Sequence, residues 1–374
     1  MELYQTIHYS VLLCLLFELS TNTKFKNIII ICWCIFFTIF GGLRWYTGTD
    51  WEQYLNHFLD CKWETIFTYQ RANGHGMEPG FLFVNNLVKS IFGEFYVYNL
   101  IVVGFIQFTY YKFCHYFSPE RPLLMYIVLM TLNPNYFPVR AGLSCGIAYW
   151  VWRFLQNDNM KGFILVVLCA TLVHYQCIVL LPLFWLKKIP LKYVFAILLF
   201  GVLATIGVKF QDYFILLSLF VGGDIGDKAY GYTQGQSESY EMKSGLSLAG
   251  MILQFIFLNL FYYIRNKYKK IKIIDDEFFN VLIWGYGMYI GFFMVFSGGM
   301  GDLTRMASLF IPAFFILIVN VINTINKQSN QLVKKIAVFV FIAYLLFRVG
   351  DIWSGYWFEL GCIPYKNIFD YNIL

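Results

Sequence analysis

Apolar runs of helical length recur along this chain, separated by short polar connections, at residues 4–20, 25–43, 95–113, 246–264, 279–297, 303–323 and 332–350. An α-helix needs about 20 apolar residues to cross the roughly 30 Å hydrocarbon core of a bilayer, and so many such runs leave few ways to fold in water. Composition agrees. Of 374 residues 59% are hydrophobic and 13% charged, against about 25% charged in a soluble domain. The 40 Phe, 28 Tyr and 10 Trp suit lipid contact and the interfacial belts. These features predict an all-α, polytopic integral membrane protein of about 10–12 transmembrane helices, with residues 1–374 forming a single transmembrane domain.

The remaining segments fit around those runs. Residues 44–78 carry Arg44, Asp50, Glu52, Asp60, Lys62, Glu64 and Arg71 and are too charged to cross hydrocarbon. Residues 79–92 form a short apolar run suited to an interfacial helix. Residues 121–134 and 138–155 are joined by Asn133-Pro134-Asn135-Tyr136-Phe137-Pro138, a proline-bounded turn. The run 162–185 is interrupted by His174-Tyr175-Gln176, as one span or as two half-length helices meeting at the histidine. A further helix is expected over 191–208, and residues 222–244, rich in Gly, Tyr, Ser and charge, read as an exposed loop. With the amino terminus outside and 162–185 returning to the side it left, the connections near 24–26, 112–121, 153–161, 187–192, 265–272 and 327–335 collect 17 of the 28 basic residues on the inside. The loops 44–78 and 222–244 then face outward.

The formal net charge of +6 lies mostly in those connections, the pattern of cytoplasmic anchoring and not of a nucleic-acid surface. Most of the nine Cys sit inside apolar runs as small hydrophobes. Cys32 and Cys34 lack a second pair at metal-site spacing, and the carboxylates do not cluster, so neither a metal nor another cofactor is expected. Phosphate-loop, zinc-helix and nucleophile-elbow signatures are missing.

Ionisable residues gather at one set of helix ends. Arg44 closes the second run, Asp50 follows in Gly48-Thr49-Asp50-Trp51, Glu78 precedes Pro79-Gly80-Phe81, and Arg140 follows a proline. His174 breaks an apolar run, and Asp302 and Arg305 follow Gly298-Gly299-Met300-Gly301. A charge near hydrocarbon costs several kcal/mol unless it snorkels, pairs or faces water, so one shared polar pocket would account for all of them. Simpler roles exist for each. Arg44 could snorkel, Asp50 could cap the helix beginning at Trp51, and Glu78 could favour a helix N-terminus. Arg305 could pair with Asp302 one turn earlier, Arg140 could serve as an anchor, and His174 could be a packing residue.

The block Gly42-Leu43-Arg44-Trp45-Tyr46-Thr47-Gly48-Thr49-Asp50-Trp51, with Tyr54 following, resembles the hallmark of the EpsG-like family of bacterial polysaccharide polymerases, related in role to the Wzy O-antigen polymerases. Glu78-Pro79-Gly80-Phe81, Arg140-Ala141-Gly142-Leu143, His174-Tyr175-Gln176, the Arg305 region and Ile363-Pro364-Tyr365 follow in the family's order. Where the family often has glutamine after the first of these arginines, this chain has Ala141. Where it has serine after the histidine, this chain has Tyr175 or Gln176, and the aromatic expected soon after Arg305 arrives at Phe310.

The resemblance implies a layout similar to that of GT-C-type membrane glycosyltransferases, in a multi-pass protein of the bacterial inner membrane. It also implies glycosyl transfer at the outer face of that membrane. A glycan on undecaprenyl diphosphate is transferred to a lipid-linked repeat unit, a sugar hydroxyl attacking and the lipid diphosphate leaving. The expected partners are undecaprenyl-diphosphate-linked oligosaccharide, membrane lipids and a separate chain-length regulator. A leaving diphosphate calls for arginine forks, assigned in order of preference to Arg140, Arg305 and Arg44. A base must take the hydroxyl proton, a role for Asp50 or His174, with Glu78 orienting a sugar or an arginine. Trp45, Trp51, Tyr54 and Tyr136 are candidate stacking surfaces for sugars. A lipid-linked oligosaccharide flippase or an O-antigen ligase would use similar groups, although the two halves of the chain show no inverted repeat.

Overall fold

The computed structural model describes residues 2–20, 22–48, 50–67, 77–134, 136–137, 139–191, 194, 248–267, 275–296, 305–328, 330–352 and 362–371. Among these, the chain is almost entirely helical and contains no sheet. The helices are α1 (Glu2–Leu13), α2 (Thr23–Gly42), α3 (Trp51–Asp60), α4 (Pro79–Phe92), α5 (Phe95–Phe117), α6 (Pro122–Leu132) and α7 (Arg140–Ala148). Then come α8 (Val151–Gln156), α9 (Met160–Val173), α10 (Leu183–Leu186), α11 (Leu248–Lys267), α12 (Asp276–Phe296), α13 (Ile311–Gln328) and α14 (Gln331–Ile352). The expected helix over 191–208 lies outside the described residues except at Leu191 and Val194, and the loop 222–244, Gly298-Gly299-Met300-Gly301 and Asp302 lie wholly outside them.

Local chemistry sets the helix ends. Asn22 caps α2, its Oδ1 accepting from the Phe25 N–H at 3.1 Å, and Asn159 caps α9 through the Gly162 N–H at 2.9 Å. Pro79 and Pro122 occupy first turns, where their missing N–H is no loss. Gly93 ends α4 at φ 77°, a left-handed conformation that glycine adopts without a Cβ penalty. Helix α9 stops at the polar interruption. His174 is extended (φ −153°, ψ 116°), and a 3-10 turn over Tyr175–Leu180 follows.

One helix among the described residues, α2, is long and apolar enough to cross a membrane by length and composition. Helix α5 has 23 residues, but Asn99, Gln107, Lys112 and its tyrosines lower its mean hydropathy.

The chain divides into two compact units, residues 1–178 with 325–374, and residues 179–324. In the first, α2 lies closely against α5. A Cβ on Gly42 would fall 2.8 Å from the Leu100 Cα, and one on Gly41 would fall 2.3 Å from the Tyr136 carbonyl oxygen. Every residue of α6 is buried, α7 packs against α5, and α9 packs against α7, α8 and α4. In the second unit α12 packs on α10 and α11. There Trp284 Nε1 donates to the Ile189 carbonyl at 3.1 Å, and Tyr286 stacks on Phe314 with centroids 5.1 Å apart.

Candidate functional site

Three of the ionisable residues singled out from sequence converge in the first unit. Glu78 stands immediately before α4, Arg140 is the first residue of α7, and His174 is the extended residue that ends α9. Arg140 Nη1 donates to Glu78 Oε2 at 3.1 Å, and His174 Nδ1 lies 3.1 Å from Glu78 Oε1. The Tyr175 N–H points to the same Oε1 at 3.4 Å. An ionised carboxylate can only accept, so Nδ1 carries a proton, and in the neutral imidazole this leaves the lone pair on Nε2.

Two features that sequence reading passed over build this cluster. Gly80 lets the start of α4 meet the backbone of α9: a Cβ there would fall 2.8 Å from both the carbonyl carbon and oxygen of Leu172, two residues before His174. Met77 contributes its thioether, 2.9 Å from Arg140 Nη1. The glycine stands in the block Glu78-Pro79-Gly80-Phe81, but nothing local to that block points to Leu172.

The cluster is largely dry. The Glu78 side chain is 6% exposed, that of His174 14% and that of Arg140 24%. Burial works to raise the Glu78 pKa, but the hydrogen bond from His174 and the charge of Arg140 prevail and hold it below the ordinary glutamate value. The Arg140 Nε is buried and has no hydrogen-bond partner among the described residues. With Nη1 committed to Glu78, the guanidinium has donors left for a second anion.

Arg44 occupies a different setting. It is buried, with its guanidinium 5.2 Å from the centroid of the Phe137 ring. It pairs through the main chain with Asn367 in an isolated antiparallel bridge. Trp45 N–H donates to the Lys366 carbonyl at 2.9 Å and Ile368 N–H to the Leu43 carbonyl at 3.0 Å. Thr47 Oγ1 accepts from the Lys366 N–H at 3.0 Å and donates to its carbonyl at 3.1 Å, while the Tyr365 hydroxyl donates to the Phe40 carbonyl at 2.8 Å. Burial lowers the Arg44 pKa to about 10, so the group remains cationic at neutral pH.

Asp50 is exposed at the head of α3 and makes no side-chain capping bond. Trp51 is buried with its ring edge-on to Phe95, and Tyr136 is buried and stacked on Phe37 with centroids 4.9 Å apart. Trp45 and Tyr54 are half-buried, Trp45 against Trp51 and Tyr54 against Phe81. Arg305 opens a 3-10 turn, Arg305–Leu309, in the second unit, and its side chain lies outside the described residues. No group of three or more His, Cys, Asp or Glu that could hold a metal ion occurs among the described residues.

A buried carboxylate holding both an arginine and a histidine defines a polar, charge-balanced site within a helical unit. The chain matches the EpsG family over residues 27–367 and belongs to that family. No curated protein and no solved structure matches it.

Proposed function

We propose that the chain is a multi-pass membrane glycosyltransferase. It polymerises undecaprenyl-diphosphate-linked oligosaccharide repeat units into O-antigen or a related surface polysaccharide at the outer face of the bacterial inner membrane. Family membership supports the role in repeat-unit polymerisation. The observation that carries the chemistry is the pairing of Glu78 with Arg140 and with His174, each at 3.1 Å.

In this reading His174 is the base. Glu78 fixes its tautomer, so Nε2 takes the proton of an acceptor hydroxyl as the oxygen attacks the anomeric carbon of the donor. The bond that breaks joins that carbon to the lipid diphosphate, whose departing charge is met by the remaining donors of Arg140. Glu78 also stabilises the imidazolium that results. Asp50 is the second candidate for the base. Arg305 and Arg44 keep their proposed roles toward the diphosphate on the resemblance alone. Tyr54 and Trp45, which are only half-buried, are the favoured sugar platforms among the four aromatics, ahead of Trp51 and Tyr136.

The direct test is elongation of a defined undecaprenyl-diphosphate oligosaccharide by the purified chain in nanodiscs, beside Arg140→Ala matched for folded protein. A glycan ladder from the wild type, missing from the variant, is the expected result. Folded, lipid-bound protein that elongates none of several repeat units would overturn the proposal and favour translocation.

A further inference from the structure

Remote from the Glu78 cluster, the first unit holds a cavity of about 330 Å³. Its walls come from the last turns of α5 and from the α7–α8 stretch, and include Thr109, Lys112, His115, Tyr116, Trp150 and Arg153. Arg140 opens that same stretch, so at 1.5 Å per residue Arg153 lies about 20 Å along it from the proposed diphosphate-binding arginine.

The polar groups of the wall divide into two kinds. The neutral ones satisfy each other or their neighbours. Trp150 Nε1 donates to Thr109 Oγ1 at 3.2 Å, the Tyr116 hydroxyl donates to Asn157 Oδ1 at 3.0 Å, and His115 Nε2 is 2.9 Å from Asn27 Oδ1. The two cations are held by aromatic faces instead. Arg153 lies 5.1 Å from the centroid of Tyr116, and Lys112 lies 5.4 Å from that of Phe108. Among the described residues neither forms an ion pair with a carboxylate. Two cations without a carboxylate partner among the described residues line one concave, aromatic-walled cavity and provide what a phosphoryl anion requires, namely charge and multiple N–H donors.

We infer that this cavity binds a phosphoryl group between Lys112 and Arg153, supplied by the headgroup of an anionic phospholipid. The lipid source follows from the rim. Phe108 and Tyr116 are exposed beside the cations, and Ile101 continues the exposed apolar surface along α5, a surface that acyl chains would cover. The inference concerns a second site and does not depend on the glycosyl transfer proposed above.

The test is thermal unfolding of the full chain in detergent with added dioleoylphosphatidylglycerol, dioleoylphosphatidylcholine or inorganic phosphate. The expected result is a higher Tm with the anionic lipid and none with the zwitterionic one. The rise should be lost in Lys112→Gln/Arg153→Gln, and kept in Lys112→Arg/Arg153→Lys and in Lys334→Gln/Lys335→Gln. Inorganic phosphate reproducing the whole rise would keep the phosphoryl site and overturn the lipid source. Equal responses to both lipids, or a rise that survives Lys112→Gln/Arg153→Gln, would overturn the site itself. Should that double variant fail to fold, lipid adducts counted by native mass spectrometry on each single Gln variant decide the matter. Each is expected to bind the anionic lipid about tenfold more weakly, and unchanged adducts refute the site.

Discussion

Glu78 and His174 are 96 residues apart in the chain and 3.1 Å apart in space, joined from Oε1 to Nδ1. The contact decides which imidazole nitrogen is available. Replacing Glu78 with Gln lets the ring adopt either tautomer and leaves Arg140 without its counter-charge. Elongation by Glu78→Gln should fall by about 10²–10⁴-fold, and unfolding should become easier by about 1–3 kcal/mol. Initial rates on a lipid-linked oligosaccharide and denaturation in the same detergent measure the two effects separately. A variant that elongates normally would remove Glu78 from the machinery.

Gly80 sets how closely α4 can approach α9. The atoms its Cβ would meet belong to the Leu172 main chain, so no side-chain rotation relieves the clash. Gly80→Ala should destabilise by about 1–3 kcal/mol and lower elongation by displacing Glu78 from His174. Gly350→Ala is the matched control, since nothing lies within 4 Å of the added atom and α14 gains a better helix former. Thermal melts of the two variants should move in opposite directions.

The pH dependence of stability follows from the direction of the Glu78 shift. Its pKa is lower in the folded chain than in the unfolded one, so the folded state favours the carboxylate. That contribution is complete above the unfolded glutamate pKa of about 4.3 and disappears as pH falls through the lower folded value. The difference in Tm between wild type and Glu78→Gln should therefore shrink as pH falls below about 4.3. A difference that keeps growing below that pH would contradict the assigned charge state.

Thr47 both accepts from and donates to Lys366. Thr47→Val keeps the shape and removes both bonds, which should cost about 1–3 kcal/mol. Tyr365→Phe removes the single bond to Phe40 and should cost about 1 kcal/mol. Chemical denaturation of the two variants and their combination checks the ranking.

Much of the local structure was legible because its signals are local. Pro79 and Gly93 bound α4 as expected for residues 79–92, and the polar trio at 174–176 marked the break after α9. Within the expected run 303–323, Arg305–Leu309 form a 3-10 turn and the α-helix starts only at Ile311, where Pro312 occupies a first helical turn and its missing N–H is tolerated. The convergence of Glu78, Arg140 and His174 had no periodic signature, since each lies at the end of a different helix. The cost of leaving a charge near hydrocarbon argued for one shared polar pocket, but it gathered Arg44, Asp50 and Arg305 with these three and could not say which of them touch. The departure from the family's serine at Tyr175 has a physical reading, because that residue reaches Glu78 through its main-chain N–H, which any residue except proline supplies. Aromatics were ambiguous for a related reason. Trp51 and Tyr136 present the same apolar face to a sugar or to a core, and here neighbouring rings cover it.

The bridge between Arg44 and Asn367 has a bearing on synthesis. Thr47 and its partner Lys366 are separated by 319 positions, so the end of α2 leaves the ribosome long before the segment that closes it. A nascent chain therefore carries an Arg44 whose surroundings stay incomplete until residues 366–368 have been added. Premature termination between residues 180 and 362 would release a chain with every residue of the Glu78 cluster and no closure beside Arg44, a truncated product that quality-control proteases could distinguish from one that includes Lys366.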